Sequence, residues 1–319
     1  MISERIRDGE VAVIGLGRSG RAAALLLAQR GARVYASDDG TKAAVVEGAA
    51  ALTERGIAAQ TGGHDLARIA RAALVVVSPG VPPEAPALVV ARAAGTPVVS
   101  EIEVALDALP NARIIAITGT NGKTTTTALV AHLLAALGCD AVAAGNIGTP
   151  LAAFAQRPKP PEWFALEVSS FQLHDTPSLA PLVGVLTNLT PDHLDRYASV
   201  DDYYADKAQL FANATAESRW VWNADSDRVR AMAASVTGEH ATFSIARRDA
   251  DAWYDRDNDQ MMLLGAPLLT RRELTLMGDH NVANALAASL AVAVADAAHR
   301  SREARGRIAT QMPVADKAK

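Results

Sequence analysis

Residues 114–134 read IIAITGTNGKTTTTALVAHLL. The apolar run at the start predicts a buried strand, and the run rich in alanine and leucine that follows Lys123 predicts a helix. In the glycine-bearing loop between them, backbone N–H groups and the positive end of the helix can face the same anion. Lys123 adds a positive charge, and Thr124 adds a hydroxyl that suits Mg²⁺. The stretch therefore predicts a strand, a phosphate-binding loop and a helix.

This loop is shorter than the usual phosphate-binding loop. The usual pattern has a glycine six residues before its lysine, and Ile117 stands at that position. The loop is then G-T-N-G-K-T, in which the backbone amides from Gly119 to Thr124 can point at phosphate oxygens. An accidental match in an ordinary strand, turn and helix is the alternative. The lysine and the hydroxyl together, directly after an apolar strand, argue against it.

A second glycine loop, GLGRSG at residues 15–20, also lies between an apolar strand and a helix. Its glycines match the dinucleotide fingerprint, and Asp38 follows at nearly the spacing of an acid that binds a ribose hydroxyl. Taken alone, the motif indicates NAD. Any diphosphate ester that approaches a helix N-terminus needs the same close backbone, however, and a purely structural tight turn is also possible. The two loops together indicate two different phosphate-containing ligands.

Short apolar strands alternate with helical stretches along most of the chain, which is typical of a parallel sheet with helices on both faces. Pro110 and Asn111 interrupt this alternation, and a fresh series of strands and helices starts at Arg113. We therefore expect an α/β fold with two doubly wound domains. The first is a Rossmann-like domain over residues 1–110, and the second is a P-loop ATPase-type domain with a mainly parallel sheet over residues 111–298.

The last third of the sequence changes character. From about Glu239 the strands become shorter and more polar, which predicts a small antiparallel annex, and GDHNVANALAASLAVAVA then predicts a helix. Residues 299–319 are basic and show no apolar periodicity. We expect them to form a disordered tail.

Composition excludes several classes of function. The chain has 319 residues, half of them apolar, and a formal net charge of −4 with both signs mixed, so no broad basic face for nucleic acid or membrane is expected. The N-terminus leads directly into a strand and lacks the apolar core of a secretory signal. The apolar run near residues 286–298 is shorter than a bilayer span of about 20 residues. The single cysteine, Cys139, is expected to be an inert core residue, and the expected location is the cytoplasm.

Other candidate functional residues lie where predicted strands end. Glu167 closes the strand EWFALE next to the phosphate loop, where a carboxylate can complete the oxygen shell of a hard cation. His193 lies among acids in NLTPDHLDRY, after the next strand. Lys207 is on a predicted helix, and its own sequence context favours an ordinary surface charge. Asn281 and Asn284, at a later helix start, have amides that could face a base.

As a set, these motifs resemble the Mur ligase family in order and spacing, over roughly residues 10 to 297. The residues concerned are GLGRSG, SPGVP, GTNGKTTT, GNIG, EVSSFQL, NLTPDHLDRY, YYADKAQLF and GDHNVANAL. The resemblance implies that the first glycine loop binds the UDP of a substrate rather than NAD, with substrate contacts from Gly15, Leu16, Gly17, Arg18, Ser19, Asp38, Ser78, Gly80, Asn146 and Ser169. It implies ATP contacts from Gly119, Thr120, Asn121, Gly122, Lys123, Thr124, Thr125, Asn281 and Asn284. It implies Mg²⁺ ligands at Thr124, Glu167, His193 and a carbamylated Lys207, and catalytic roles for Lys123, His193 and Lys207.

The resemblance also implies a reaction. The family member with the most similar motifs joins D-glutamate to UDP-N-acetylmuramoyl-L-alanine in peptidoglycan synthesis, through an acyl phosphate made with ATP. Relatives carry a third domain that binds the incoming amino acid, and the likeness here stops near Ala298. We therefore expect a truncated, impaired, monomeric ligase without nucleic acid or stable membrane partners. The alternatives are a non-catalytic remnant that binds UDP-sugar and ATP, a nicotinamide oxidoreductase, and a folate-polyglutamating ligase, which GLGRSG disfavours.

Overall fold

The computed structural model describes residues 2–312, and the chain divides into two compact units. Unit 1 comprises the chain up to Asn111 together with Gly148–Pro160 and Phe171–Leu179. Unit 2 comprises Ala112–Ile147, Pro161–Ser170 and the described residues from Ala180 onward. The main division lies one residue beyond the predicted one. The two later segments of unit 1 were not predicted, since residues 111–298 were expected to form one continuous domain.

Unit 1 contains a five-stranded sheet in the order β3-β2-β1-β4-β5, with every neighbouring pair parallel. Its strands are β1 Glu10–Ile14, β2 Arg33–Asp38, β3 Ala58–Thr61, β4 Leu74–Val77 and β5 Val98–Ser100. Its first helices are α1 Ile2–Asp8, α2 Arg18–Gln29, α3 Ala43–Thr53, α4 Leu66–Ala70, α5 Pro86–Ala93 and α6 Glu101–Ala108. β1 and β4 are buried almost throughout, as expected for strands covered on both faces. The predicted entry straight into a strand differs from the structure, because α1 precedes β1.

Unit 2 is built on a nine-stranded sheet in the order β14-β13-β12-β11-β10-β9-β6-β8-β7. Its strands are β6 Arg113–Thr118, β7 Ala141–Gly145, β8 Trp163–Glu167, β9 Val183–Leu186, β10 Arg219–Asn223, β11 Glu239–Ser244, β12 Ala252–Asp255, β13 Gln260–Leu263 and β14 Ala266–Thr270. All neighbouring pairs from β7 to β12 are parallel, and β12, β13 and β14 pair antiparallel. The antiparallel part thus begins at β12, not at Glu239 as predicted, and it continues the main sheet.

The remaining helices of the chain are α7 Lys123–Ala136, α8 Leu151–Ala155, α9 Ser170–His174, α10 Val200–Ala208, α11 Asp227–Ala233, α12 Asp279–Ala295 and α13 Arg302–Gln311. α8 lies in unit 1, where it packs on α2 and α6. The alanine-rich α12 is buried along almost its whole length between α7 and the strands from β9 to β13, because small side chains allow close approach. No helix in the part of the chain that the structure describes is both long and apolar enough to cross a bilayer.

The structure corrects the predicted disordered tail. Residues 302–311 form α13, whose N-terminus is capped by Ser301 through a hydrogen bond from the Ala304 N–H to Oγ. Ala304, Ile308 and Met312 are spaced four residues apart and are buried, and the last two join the core of unit 2. Arg305 and Arg307 lie between Ala304 and Ile308, so the sequence shows no apolar run at these positions. Residues 313–319, the rest of the predicted tail, lie outside the described residues.

Candidate active site

The predicted phosphate loop joins β6 to α7, and its two glycines are required by geometry. Gly119 has φ +143° and Gly122, which caps α7, has φ +82°, in the region that favours glycine. A Cβ at Gly119 would lie 2.0 Å from Thr187 Oγ1, and a Cβ at Gly122 would lie 2.3 Å from Asn284 Oδ1. The strand, loop and helix predicted from residues 114–134 are therefore confirmed. The loop is also packed against residues distant in sequence.

The residues that follow β9 hold the loop in place. Asn188 Oδ1 accepts the Asn121 N–H at 2.9 Å, and Asn188 Nδ2 donates to the Asn121 carbonyl at 2.9 Å. The Asn188 carbonyl accepts the Thr120 N–H, also at 2.9 Å. β9 neighbours β6 in the sheet, which brings the two loops to one edge. Asn188 was not among the predicted contacts, although its position directly after an apolar strand was the available signal.

Two lysines converge on one carbonyl oxygen of the loop. Lys123 Nζ donates to Gly119 O at 3.0 Å and to Thr120 O at 2.8 Å, and Lys207 Nζ donates to Gly119 O at 2.9 Å. Burial lowers the pKa of Lys123. Burial, and then the charge of Lys123, lower the pKa of Lys207 to about 7. The two ammonium groups concentrate positive potential beside the loop, where an anion would relieve their repulsion.

The burial of Lys207 contradicts the surface-charge interpretation that its sequence context favoured. Its side chain is 1% exposed. It lies on α10, four residues after Tyr203, and Nζ is 4.8 Å from the centre of the Tyr203 ring. The Tyr203 hydroxyl is in turn 3.1 Å from Thr120 Oγ1. Tyr203 thus links α10 to the phosphate loop, a role that sequence reasoning missed.

Glu167 ends β8 beside the loop, as predicted, and is 2% exposed. Thr124 Oγ1 donates to Glu167 Oε2 at 2.8 Å, and Asn146 Nδ2 donates to Oε1 at 3.0 Å. A hydroxyl and a carboxylate in contact are oxygen ligands of the kind that Mg²⁺ prefers, and Mg²⁺ commonly takes only one or two protein ligands besides water and phosphate oxygens. The residues present therefore fit a Mg²⁺ ion.

His193 lies on the loop after β9 with φ +53°, and its side chain is 44% exposed. Its backbone N–H donates to Asp192 Oδ1, and its ring is 6.0 Å from the Tyr203 ring. The charge of Asp192 also acts on Lys123 and Lys207, raising the pKa of each against the effect of burial. Within residues 2–312, no three His, Cys, Asp or Glu side chains are grouped as a metal site. A metal set that joins Glu167 to His193 therefore stays a prediction.

The two predicted adenine-contacting residues lie at the start of α12. Asn281 Nδ2 donates to the Met277 carbonyl at 2.8 Å, and Asn284 Nδ2 donates to Asn281 Oδ1 at 3.1 Å. Asn284 is buried, and its Oδ1 accepts a 3.4 Å hydrogen bond from Thr126 Oγ1 on α7. Because Asn284 also lies against Gly122, the structure places this pair beside the phosphate loop.

In unit 1, the GLGRSG loop joins β1 to α2 in a closely packed turn. Gly15 has φ +90°, and its carbonyl accepts the Ser78 hydroxyl at 2.8 Å. A Cβ at Gly20 would lie 1.8 Å from that same carbonyl oxygen. Gly17 and Arg18, at the start of α2, are exposed, and a ligand can reach them there. The loop therefore has the close backbone and open helix start of a diphosphate site.

Asp38, the last residue of β2, stabilises this loop through two hydrogen bonds. Its Oδ2 accepts the Leu16 N–H at 2.6 Å, and its Oδ1 accepts the Gly40 N–H at 2.7 Å. The Leu16 side chain is buried, so both this side chain and its amide are engaged by the protein itself. Gly80 is exposed in the turn closed by the Val81 N–H and the Ser78 carbonyl. In unit 2, the partly exposed Ser169 follows Glu167 by two residues.

Comparison with known families matches both units. The family model for the Mur ligase middle domain matches residues 117–292. The family model described as Mur ligase MurD-like, N-terminal domain, matches residues 9–100. The first covers more than half of the chain. It includes the phosphate loop, Glu167, His193, Lys207 and the start of α12.

Curated relatives carry the name UDP-N-acetylmuramoylalanine–D-glutamate ligase. The one from Acidobacterium capsulatum is 39% identical over 295 residues, which are 91% of this chain and 64% of the relative. The one from Syntrophotalea carbinolica is 40% identical over 281 residues, which are 87% of this chain and 62% of the relative. The chain thus spans less than two thirds of the length of these relatives.

Solved structures show the same fold at lower identity. The UDP-N-acetylmuramate:L-alanyl-gamma-D-glutamyl-meso-diaminopimelate ligase from Neisseria meningitides has a TM-score of 0.66 at 19% identity, covering 96% of this chain and 97% of that chain. The UDP-N-acetylmuramate–alanine ligase from Thermotoga maritima has a TM-score of 0.58 at 22% identity, covering 96% of this chain and 68% of that chain. The family model that matches more than half of the chain confirms the resemblance seen in the sequence motifs: the chain belongs to the Mur ligase family.

Proposed function

We propose that this chain carries the ATP and UDP-sugar sites of an amide ligase that adds D-glutamate to UDP-N-acetylmuramoyl-L-alanine in peptidoglycan synthesis. The observation that carries the proposal is the convergence of Lys123, Lys207 and the Thr124–Glu167 pair on one loop. The names of the curated relatives support the choice of substrates. GLGRSG and Asp38, read with those relatives, favour UDP over NAD as the diphosphate ligand of unit 1.

The proposed reaction explains why a ligase needs a phosphate loop. A carboxylate is a poor acyl donor, because its leaving group would be oxide. Attack of the terminal alanine carboxylate on the γ-phosphate of ATP forms an acyl phosphate and releases ADP. The amine of D-glutamate then attacks the acyl carbon, phosphate leaves, and the amine gives up a proton as the amide forms. Negative charge accumulates between carboxylate and triphosphate, and Lys123 is positioned to stabilise it.

Thr124 and Glu167 are the residues that would hold Mg²⁺ in this site. When bound, Mg²⁺ would neutralise charge on the phosphate oxygens. Lys207 would become a further anionic ligand if its amine were carbamylated. Its pKa of about 7 leaves a large neutral fraction near neutral pH, and only the neutral amine reacts with CO₂. Asn281 and Asn284 are proposed to contact the adenine.

Ligand-induced stabilisation tests the proposal, because a ligand of the folded state raises the melting temperature. UDP-N-acetylmuramoyl-L-alanine and Mg²⁺ with a slowly hydrolysed ATP analogue should each raise the melting temperature of this chain, and NADH should not. Lys123→Ala should abolish only the ATP response, while Lys159→Ala, an exposed control, should abolish neither. Two results would refute the proposal. One is stabilisation by NADH alone, and the other is a folded chain whose melting temperature responds neither to UDP-N-acetylmuramoyl-L-alanine nor to the ATP analogue.

The half-reaction gives a second test that does not require D-glutamate. With ATP, Mg²⁺ and UDP-N-acetylmuramoyl-L-alanine, an acyl phosphate should be trapped by hydroxylamine as a hydroxamate. Glu167→Gln should reduce trapping at least tenfold without lowering the affinity for UDP-N-acetylmuramoyl-L-alanine. A Glu167→Gln variant that traps hydroxamate at the wild-type rate would remove Glu167 from the proposed metal site.

A further inference from the structure

A cavity of about 420 Å³ lies in unit 1 at the amino-terminal edge of its sheet. Its walls come from α1, the end of α2 and the residues that lead into β1 and β2. Three of its lining residues are arginines, namely Arg7, Arg30 and Arg33. The GLGRSG loop lies at the opposite edge of the same sheet, since it follows the carboxyl end of β1. The twelve residues of α2 separate the two places by about 18 Å.

The positive charge of this cavity is only partly balanced. Arg30 Nη2 donates to Asp107 Oδ2 at 2.7 Å and to Ser3 Oγ at 3.1 Å. Arg30 Nη1 is buried and makes no hydrogen bond within the described residues. Arg7 and Arg33 are exposed at the rim. Asp107 pairs with Arg30, and Glu10, whose charge also acts on Arg33, is itself paired with Arg68. Arg7 and Arg33 therefore leave the described lining with an excess of positive charge.

We propose that this cavity binds a compact anion that carries phosphate groups. Guanidinium groups present planar pairs of N–H donors that match phosphate oxygens, and hydrogen bonds between charged groups are stronger than those between neutral groups. The C-terminus of α2 opposes an anion with a partial charge of only about −0.5, which the two full charges of Arg7 and Arg33 exceed. Among the described lining residues, Ile6 is the one large apolar side chain, and none is aromatic and able to stack on a base. The lining therefore fits a phosphate or diphosphate group better than a nucleoside.

Titration calorimetry with inorganic pyrophosphate tests this proposal. Arg7→Gln/Arg33→Gln removes two rim charges and leaves the Arg30–Asp107 pair intact. Arg55→Gln/Arg71→Gln is the matched control, because these exposed arginines of unit 1 lie outside the cavity lining and the change in net charge is the same. Pyrophosphate should bind the first variant at least tenfold more weakly than it binds the wild type. The control should change its affinity less than twofold.

Lys123→Ala distinguishes binding of pyrophosphate at the phosphate loop from binding in the cavity. This variant should lose the binding at the loop and keep the arginine-dependent binding. A second arm asks whether the phosphate belongs to a lipid headgroup, by sedimentation with phosphatidylglycerol vesicles. Arginine-dependent binding to either probe supports the cavity and identifies its source of phosphate. Equal weakening in both double variants, or no arginine-dependent binding to either probe, overturns the proposal.

Discussion

Glu101 is the residue whose substitution is expected to stabilise this protein most clearly. It is the first residue of α6, and its side chain is 1% exposed. Its Oε1 accepts the Ala152 N–H, while Oε2 has no hydrogen-bond partner among the described residues. Burial raises the pKa of Glu101 to about 7 from 4.5, against the opposing effect of the Ala152 N–H. The folded protein therefore holds a proton at this carboxyl that the unfolded chain releases.

The size of the effect follows from the two pKa values. Each tenfold difference in proton affinity corresponds to about 1.4 kcal/mol, so a pKa of 7 instead of 4.5 corresponds to about 3 kcal/mol. Folding raises the pKa of the Glu101 carboxyl, so the free energy of unfolding falls as the pH rises. Its contribution to stability is fully present below pH 4.5. It is lost as the pH rises through 7, because the folded state must then bury a charge.

Glu101→Gln keeps the shape and the acceptor for Ala152 but cannot ionise. The free energy of unfolding, from urea denaturation followed by far-UV circular dichroism, should differ little from wild type near pH 4.5. The variant should be more stable by about 3 kcal/mol at pH 8. Glu84→Gln, an exposed control, should show no such divergence. A difference between Glu101→Gln and wild type that stays constant from pH 4.5 to 8 would refute the reasoning.

Three other perturbations test separate parts of the structure. Gly20→Ala should destabilise the protein by about 3 kcal/mol or more in thermal melts, since its Cβ would lie 1.8 Å from the Gly15 carbonyl oxygen, whereas Gly80→Ala, with open space around it, should not. Ile308→Ala should cost about 2–5 kcal/mol by urea unfolding, and a change within about 0.5 kcal/mol would contradict the docking of α13. Incorporation of ¹³C-bicarbonate, measured by NMR, should rise between pH 6 and 8 as the amine of Lys207 loses its proton, and it should vanish in Lys207→Arg; a signal that persists would assign the carbamate elsewhere.

Local chemistry made the two glycine loops predictable. A positive φ, a close backbone and a helix start act within a few residues, and glycine is the residue that permits them, so GLGRSG and GTNGKT indicated their geometry directly. The alternation of apolar strands and helices likewise predicted two parallel sheets, because burial on both faces requires apolar runs. The position of Glu167 at a strand end followed from the same pattern.

The contacts around these loops could not be predicted from the sequence, because they are made by residues far away along the chain. Asn188 and Tyr203 hold the phosphate loop only because β9 and α10 lie beside it in the folded sheet. Segments 148–160 and 171–179 belong to unit 1 because their packing partners lie there, far away in sequence. α13 is a helix because its sparse apolar side chains reach a core formed by α7 and β14.

The sequence by itself determined which backbone N–H groups can face a phosphate, because the conformation of each glycine loop depends on residues adjacent in sequence. Tertiary structure alone decided the state of the ionisable groups. Lys207 looks like a surface charge in the sequence, and Glu101 carries no local signal at all. Both have a pKa of about 7, because solvent is excluded by elements that only folding brings together.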